Sequence, residues 1–121
     1  GLSGGDEYSP FGYHLAGVKN RMRKWNKIHL LNFDKKYLKE LWDTQDGKCA
    51  ITGLPMILDT ATGSATKKIP KHPNKASVDR INSRLPYTKD NIQFVCMCVN
   101  YMKSTFDNNQ IIEIIEHIRT G

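Results

Sequence analysis

The segment ASVDRINSRLPYTKDNIQFVCMCVNYMKSTF, residues 76–106, decides the fold that we expect for this chain. Residues 76–81 and 92–96 are short apolar runs, which is the composition typical of strands that lie partly buried in a sheet. Polar residues 82–90 between the two runs indicate a loop, and residues 97–105 suit a helix. The segment therefore predicts a strand, a loop, a second strand and a helix.

Four polar side chains in this segment point to chemistry. Asp79 lies on the first predicted strand and Asn91 at the start of the second, while Asn100 and Lys103 lie one turn apart on the predicted helix and share nearly the same face. One carboxylate and one amide oxygen suffice for Mg²⁺, which prefers oxygen ligands and needs only one or two protein groups. A nearby lysine can hold a phosphate. The set suits phosphodiester hydrolysis, although Asp and Asn also serve as plain turn or capping residues.

Further helices are predicted on both sides of the segment. Ser9, as N-cap before Pro10, begins a helix that reaches about residue 25. Asp34 is expected to cap a second helix that stops at Gly47. A last helix begins after Asp107 or Asn108, and its isoleucine stripe is expected in the core. The stripe consists of Ile111, Ile112, Ile114, Ile115 and Ile118.

Length and composition indicate a single compact domain. The chain has 121 residues, 39% of them hydrophobic, which suits one globular unit. We divide it into a lead at 1–8, expected to be flexible, a basic helical part at 9–47 and a core at 48–121. No apolar run approaches the roughly 20 residues that span a bilayer, so no membrane partner is expected. The sequence shows no export signal, and its three cysteines do not have the spacing of a disulfide framework. A cytoplasmic location is therefore expected.

Basic residues outnumber acidic ones and are clustered. The chain has 18 Lys and Arg against 12 Asp and Glu, a net charge of +6, with acid-free basic runs in the first helix and in the loop before residue 76. Such runs favour contacts with nucleic-acid phosphates, although a solvated face is the ordinary alternative for either run alone. The residues that we expect to contact DNA are Lys19, Arg21, Arg23, Lys24, Lys27, Lys67, Lys68, Lys71, Lys75 and Arg84.

The order of motifs resembles the HNH endonucleases, the His-Me finger or ββα-metal family. The closest likeness is to small bacterial and phage members with the signature S-x-D-R-I-D-S, G-Y-T, N-x-Q-x-V and N-x-x-K. The corresponding stretches here are SVDRINS at 77–83, PYT at 86–88, NIQFV at 91–95 and NYMK at 100–103. Upstream, LWDTQDGKCAITG at 41–53 resembles the lead-in of the same proteins.

The resemblance implies a fold, an activity and roles for single residues. The implied fold is α+β, with a ββα-metal core and flanking N- and C-terminal helices. Asp79 and Asn100 are implied to bind one divalent metal, Mg²⁺ or Mn²⁺. Asn91 is implied to brace the loop between the strands, and Lys103 to approach the scissile or adjacent phosphate. The implied activity is that of a metal-dependent endonuclease or nickase acting on DNA, expected to be double-stranded.

Arg80 departs from the broader family, in which a histidine that acts as general base follows the aspartate. Arginine stays protonated and has no acceptor, so it cannot take a proton from water. It can stabilise transition-state charge on a phosphate. The proton acceptor is then His72, the nearest histidine in sequence, or metal-bound hydroxide, or it is absent. A DNA-binding module without catalysis is therefore the alternative function, and a protein-binding domain is a third.

The cysteines depart from the zinc-binding members of the family, which carry two Cys-x-x-Cys pairs. Only Cys49 and Cys96 keep their places, and Cys98 is one residue out of register. Because a tetrahedral zinc site needs four ligands, structural Zn²⁺ is not expected, and the cysteines are expected to pack as small hydrophobic side chains.

Overall fold

The computed structural model describes residues 8–58, 72–103 and 106–120. In these residues the predicted α+β class is confirmed, because helices accompany a two-stranded antiparallel sheet. No helix in the described ranges is both long enough and apolar enough to cross a membrane. The described helices and strands are α1 (Ser9–Lys24), α2 (Lys35–Thr44), β1 (Ala76–Arg80), β2 (Ile92–Cys96), α3 (Met97–Lys103) and α4 (Asn108–Thr120).

The two strands form a hairpin whose two faces differ. Val78 lies opposite Phe94, and Asp79 lies opposite Gln93. Because successive strand residues point to opposite faces, Asp79 and Gln93 lie on one face, while Val78, Arg80 and Phe94 lie on the other. We call the first the α3 face, because α3 packs against it, and the second the α1 face.

Phe94 is the centre of the core on the α1 face. Its ring centroid lies 6.2 Å from that of Phe11 in α1 and 5.3 Å from that of Trp42 in α2, in edge-on contacts. Each large apolar side chain buried in this way stabilises the fold by about 1.5–3 kcal/mol. The buried stripe of α1 has the predicted helical spacing and consists of Phe11, Leu15, Val18 and Met22.

The helix starts follow local hydrogen bonding. The predicted cap of α2 is confirmed, since the Asp34 carboxylate accepts the Tyr37 N–H at 2.9 Å. The predicted cap of α1 is wrong. Ser9 already belongs to α1 and Tyr8 is the N-cap. The Tyr8 carbonyl accepts the Gly12 N–H at 2.9 Å, so the first helical hydrogen bond forms one residue earlier than the Ser-Pro pattern indicated.

Most of the α4 isoleucine stripe lies outside the core. Ile111 is buried and Ile115 packs partly against the core, but Ile112, Ile114 and Ile118 are exposed. The prediction of a fully buried stripe is therefore wrong. Ile112 lies about 100° around the helix from Ile111, so it points away from the buried side. Ile118 lies on the same side as Ile111 but near the far end of α4, which has 13 residues and packs against α3, which has 7. At about 1.5 Å per residue, α4 extends well beyond its support.

Candidate active site

A buried ammonium group lies at the centre of the α3 face. Lys103 Nζ donates hydrogen bonds to Asp79 Oδ2 at 2.6 Å, to the Arg80 backbone carbonyl at 2.7 Å and to Asn108 Oδ1 at 2.6 Å. The Lys103 side chain is only 1% exposed. An ammonium has three hydrogens to donate, so the protein supplies a full set of acceptors in place of water. A phosphate contact by Lys103 would have to replace one of them.

Gln93 joins this ion pair to the neighbouring elements. Its Nε2 donates to Asp79 Oδ2 at 2.9 Å and to Asn108 Oδ1 at 3.0 Å, and Asn108 Nδ2 donates back to Gln93 Oε1 at 3.3 Å. We call Asp79, Gln93, Lys103 and Asn108 the Asp79 network. It ties both strands to α3 and to the start of α4. Asp79 is buried, and its Oδ2 accepts both hydrogen bonds, while Oδ1 accepts none from the described residues.

Asn100 lies beside the Asp79 network on the same face. Its Nδ2 donates to Ser77 Oγ at 2.6 Å, and its Oδ1 accepts no hydrogen bond from the described residues. Asn100 contacts Ser77, and Lys103 contacts Asp79. The chain direction of α3 is therefore the same as that of β1 where the two pack together. The two predicted metal ligands thus lie on one face of the sheet, where Asn100 contacts Ser77 and Asp79 is two residues further along β1, and neither is hydrogen-bonded to the other.

The chemistry of the donor atoms can be matched against the predicted metal. Asp79 Oδ1 and Asn100 Oδ1 are one carboxylate and one amide oxygen, which fits the light protein coordination of Mg²⁺ or Mn²⁺. Lys103 already neutralises the charge of Asp79, so a cation there would need further negative charge from a ligand such as phosphate. Within the described residues, no three His, Cys, Asp or Glu side chains converge on a common metal position.

Asn91 holds the loop between the strands. Its Oδ1 accepts the Asn82 N–H at 2.8 Å, and its Nδ2 donates to the carbonyls of Asn82, Leu85 and Pro86 at 3.0, 3.2 and 2.9 Å. The side chain is buried. These contacts use both ends of one amide to fix the path of the loop.

Arg80 lies on the α1 face and not beside Asp79. Its guanidinium carbon is 4.7 Å from the ring centroid of Trp25 and 5.4 Å from that of Tyr87, and its Nη1 donates to the Leu85 carbonyl at 3.3 Å. The Trp25 and Tyr87 rings are stacked, with centroids 6.0 Å apart. Arg80 therefore belongs to an aromatic cluster at the end of α1, and only its backbone carbonyl reaches the Asp79 network.

His72 lies at the other end of the hairpin from the Asp79 carboxylate. It precedes β1, and Asp79 is the fourth of the five residues in that strand. His72 is exposed, and its Nδ1 accepts the Asn74 N–H at 3.1 Å. Among the described residues, no hydrogen bond joins His72 to Asp79 or to Asn100.

The predicted DNA-contacting residues of α1 lie on or beside its solvent side. Arg21, Arg23 and Lys24 are exposed, as is Lys27 after the helix, and Lys19 is half-buried. Arg21 Nη1 also donates to the Tyr87 hydroxyl at 3.5 Å. In the second basic run, Lys75 is half-buried just before β1, and Arg84 is exposed in the loop between the strands. Outside the described residues lie Lys67, Lys68 and Lys71.

Two of the three cysteines pack in the core, as small hydrophobic side chains do. Cys49 and Cys96 are buried and Cys98 is exposed, and Cys49 Sγ accepts the Cys96 N–H at 3.4 Å. Burial, with the neighbouring Cys49, raises the pKa of the Cys96 thiol to about 11. Burial also acts to raise the pKa of Cys49, but hydrogen bonds with Thr52 and with the backbone of Cys96 and Ile51 together outweigh it and lower that pKa.

Gln93 and Asn108 belong to the site but received no role from the sequence. A glutamine in an otherwise apolar strand, IQFVC, was a signal that could have marked Gln93, because a buried amide needs hydrogen-bonding partners. The sequence marks Asn108 only as a candidate helix cap, and no local pattern ties it to Lys103. Asp107 instead caps α4, where its Oδ1 accepts the Gln110 N–H at 3.0 Å.

Comparison with known proteins gives no relative: the chain matches no family model, no curated protein and no solved structure.

Proposed function

We propose that the chain is a metal-dependent DNA endonuclease or nickase with a ββα-metal core made by β1, β2 and α3. The observation that carries the proposal is the common face of Asp79 and Asn100, each with an oxygen that accepts no hydrogen bond from the described residues. The braced loop at Asn91 supports it, because it fixes the end of β1 where Asp79 lies.

In this proposal separate residues bind the metal and contact the DNA. Asp79 Oδ1 and Asn100 Oδ1 would hold one Mg²⁺ or Mn²⁺, which when bound stabilises negative charge on the phosphate undergoing hydrolysis. The exposed arginines and lysines of α1 would hold the DNA backbone. Solvent water would accept the proton of the attacking water, because His72 forms no hydrogen bond with Asp79 or Asn100 among the described residues. A His72→Ala variant should then keep the wild-type rate between pH 6 and 9.

The direct test is cleavage of supercoiled plasmid with Mg²⁺ or Mn²⁺, against a control with EDTA. Asn100→Ala removes a proposed ligand that is only half-buried, so the fold should survive. Loss of partners that merely surround a metal site costs about 10- to 100-fold, so loss of a ligand should cost at least about 100-fold. Asn109→Ala, an exposed asparagine at the start of α4, is the matched control. Cleavage unaffected by EDTA would exclude the metal mechanism.

A DNA-binding module without catalysis is the second candidate, and two observations favour it. Lys103 neutralises Asp79, and Arg80 stands where the family has its base and packs on Trp25 instead. A wild-type protein that binds DNA but does not cleave it with either metal would select this candidate. The salt slope of binding should then fall by about one unit for each phosphate contact removed from α1.

A further inference from the structure

We propose that Lys103 is a positioning residue for Asp79 and not a phosphate ligand: with Gln93 and Asn108 it holds Oδ2, so that Asp79 offers only Oδ1 to a cation. The inference rests on the proposed function for its catalytic consequence. It reassigns Lys103 and adds two residues, Gln93 and Asn108, that no sequence motif had given a role at the site.

The first argument is the saturation of the Lys103 ammonium. Its three hydrogens are donated to Asp79, the Arg80 carbonyl and Asn108 at 2.6–2.7 Å. With the side chain 1% exposed, a phosphate could reach it only after one of these acceptors had moved away. A buried, paired charge of this kind is costly to separate.

The second argument is the asymmetry of the Asp79 carboxylate. Oδ2 accepts from both Lys103 and Gln93, whereas Oδ1 accepts from none of the described residues. Gln93 lies directly opposite Asp79 in the sheet, so it sets the carboxylate plane from β2 while Lys103 sets it from α3. Asp79 is thereby limited to coordination through one oxygen, the mode compatible with the octahedral shell of Mg²⁺.

The third argument is the position of Asn108 at the start of α4. Its Oδ1 accepts from both Lys103 and Gln93, so it fixes the two residues that hold Asp79. Asn109 is next in sequence but exposed, and none of the hydrogen bonds of the Asp79 network involves it. Substitutions of Asn108 and Asn109 can therefore be compared to distinguish a role in the Asp79 network from a general contribution to the stability of α4.

The decisive experiment is a thermal double-mutant cycle, which needs no cleavage activity. Lys103→Met leaves Asp79 buried without its counter-charge, so Tm should fall by more than about 10 °C. Adding Asp79→Asn removes the stranded charge and should recover at least half of that fall. If Lys103 instead served a phosphate, Lys103→Met would change Tm by less than about 3 °C, would show no coupling to Asp79→Asn, and would lower the salt slope of DNA binding by about one unit.

A second set of variants covers the case in which Lys103→Met does not fold. Asn108→Leu should weaken Mn²⁺ binding, measured by electron paramagnetic resonance, by about 10- to 100-fold, and should leave DNA binding in EDTA unchanged. Asn109→Leu, the matched variant outside the Asp79 network, should stay within about threefold of wild type. Equal behaviour of Asn108→Leu and Asn109→Leu would overturn the inference. A wild-type protein that binds no Mn²⁺ would refute the proposed function, and the thermal cycle would still decide the role of Lys103.

Discussion

Two neighbouring charged residues of β1, Asp79 and Arg80, lie on opposite faces of the sheet and in different environments. On the α3 face, Asp79 is buried and its charge is met by Lys103 at 2.6 Å. On the α1 face, Arg80 is only half-buried, lies over the Trp25 ring and donates one hydrogen bond to a backbone carbonyl. Sequence neighbours in a strand are thus placed in different environments, because the side chains alternate between faces.

This difference changes how the Asp-Arg pair should be interpreted. A motif read along the chain suggests that Arg80 acts beside Asp79 on the same phosphate. The residues that surround Asp79 come instead from a distance in sequence, since Lys103 is 24 residues and Gln93 14 residues away. The charge of Asp79 is therefore met by side chains that packing brings together, whereas the charge of Arg80 lies over aromatic rings.

The largest expected effect tests the buried Asp79–Lys103 ion pair on the α3 face. Asp79→Ala removes the counter-charge of Lys103 and leaves a buried ammonium, so the free energy of unfolding should fall by about 3–5 kcal/mol. Urea denaturation followed by circular dichroism measures it. The control is Asp43→Ala, which removes an exposed pair with Lys39 and should cost only about 0.3–0.5 kcal/mol. Similar losses in the two variants would mean that Asp79 and Lys103 do not form the buried ion pair described.

A smaller effect is expected at the loop that joins β1 to β2. Asn91→Ala removes four hydrogen bonds to Asn82, Leu85 and Pro86. Because buried polar groups are left unsatisfied, the free energy of unfolding should fall by about 1–3 kcal/mol. Amide hydrogen exchange should show faster exchange of the Asn82 N–H. Unchanged exchange there would show that the loop holds its path without Asn91.

The sequence correctly predicted those parts of the fold that are determined by residues close together in the chain. The bounds of β2 match residue for residue, and Asp34 caps α2, because apolar runs and capping depend on neighbours in the chain. The Asp79 network depends on the packing of α3 and α4 on the hairpin. The hydrogen-bond partners of Asp79 could therefore not be predicted from the spacing of residues in the sequence. The exposure of Ile118 has the same origin, since periodicity shows which face of α4 is apolar but not how far its support extends.

Substitution of Arg80, which is half-buried at the end of β1 on the α1 face, should have a weak effect. Arg80→Ala removes a cation–π contact with Trp25, which at a partly exposed position contributes about 0.5–1 kcal/mol. The expected loss of unfolding free energy is therefore about 1 kcal/mol. Arg80→Lys should retain part of it, because the ammonium can still lie over the ring but cannot stack as a guanidinium does. A loss as large as that of Asp79→Ala would show that the two faces do not differ.

The smallest effect is expected where α4 extends beyond the core. Ile118 is 72% exposed, so Ile118→Lys exchanges an apolar side chain in water for a charged one and should change the free energy of unfolding by no more than about 0.5 kcal/mol. Ile111→Lys is the contrasting variant on the same stripe. Ile111 is buried, and a buried unpaired charge is costly, so this variant should be strongly destabilised. Urea denaturation of both variants measures the contrast. If Ile118→Lys were destabilised as much as Ile111→Lys, the end of α4 would have to be covered in solution, and the stripe would be core after all.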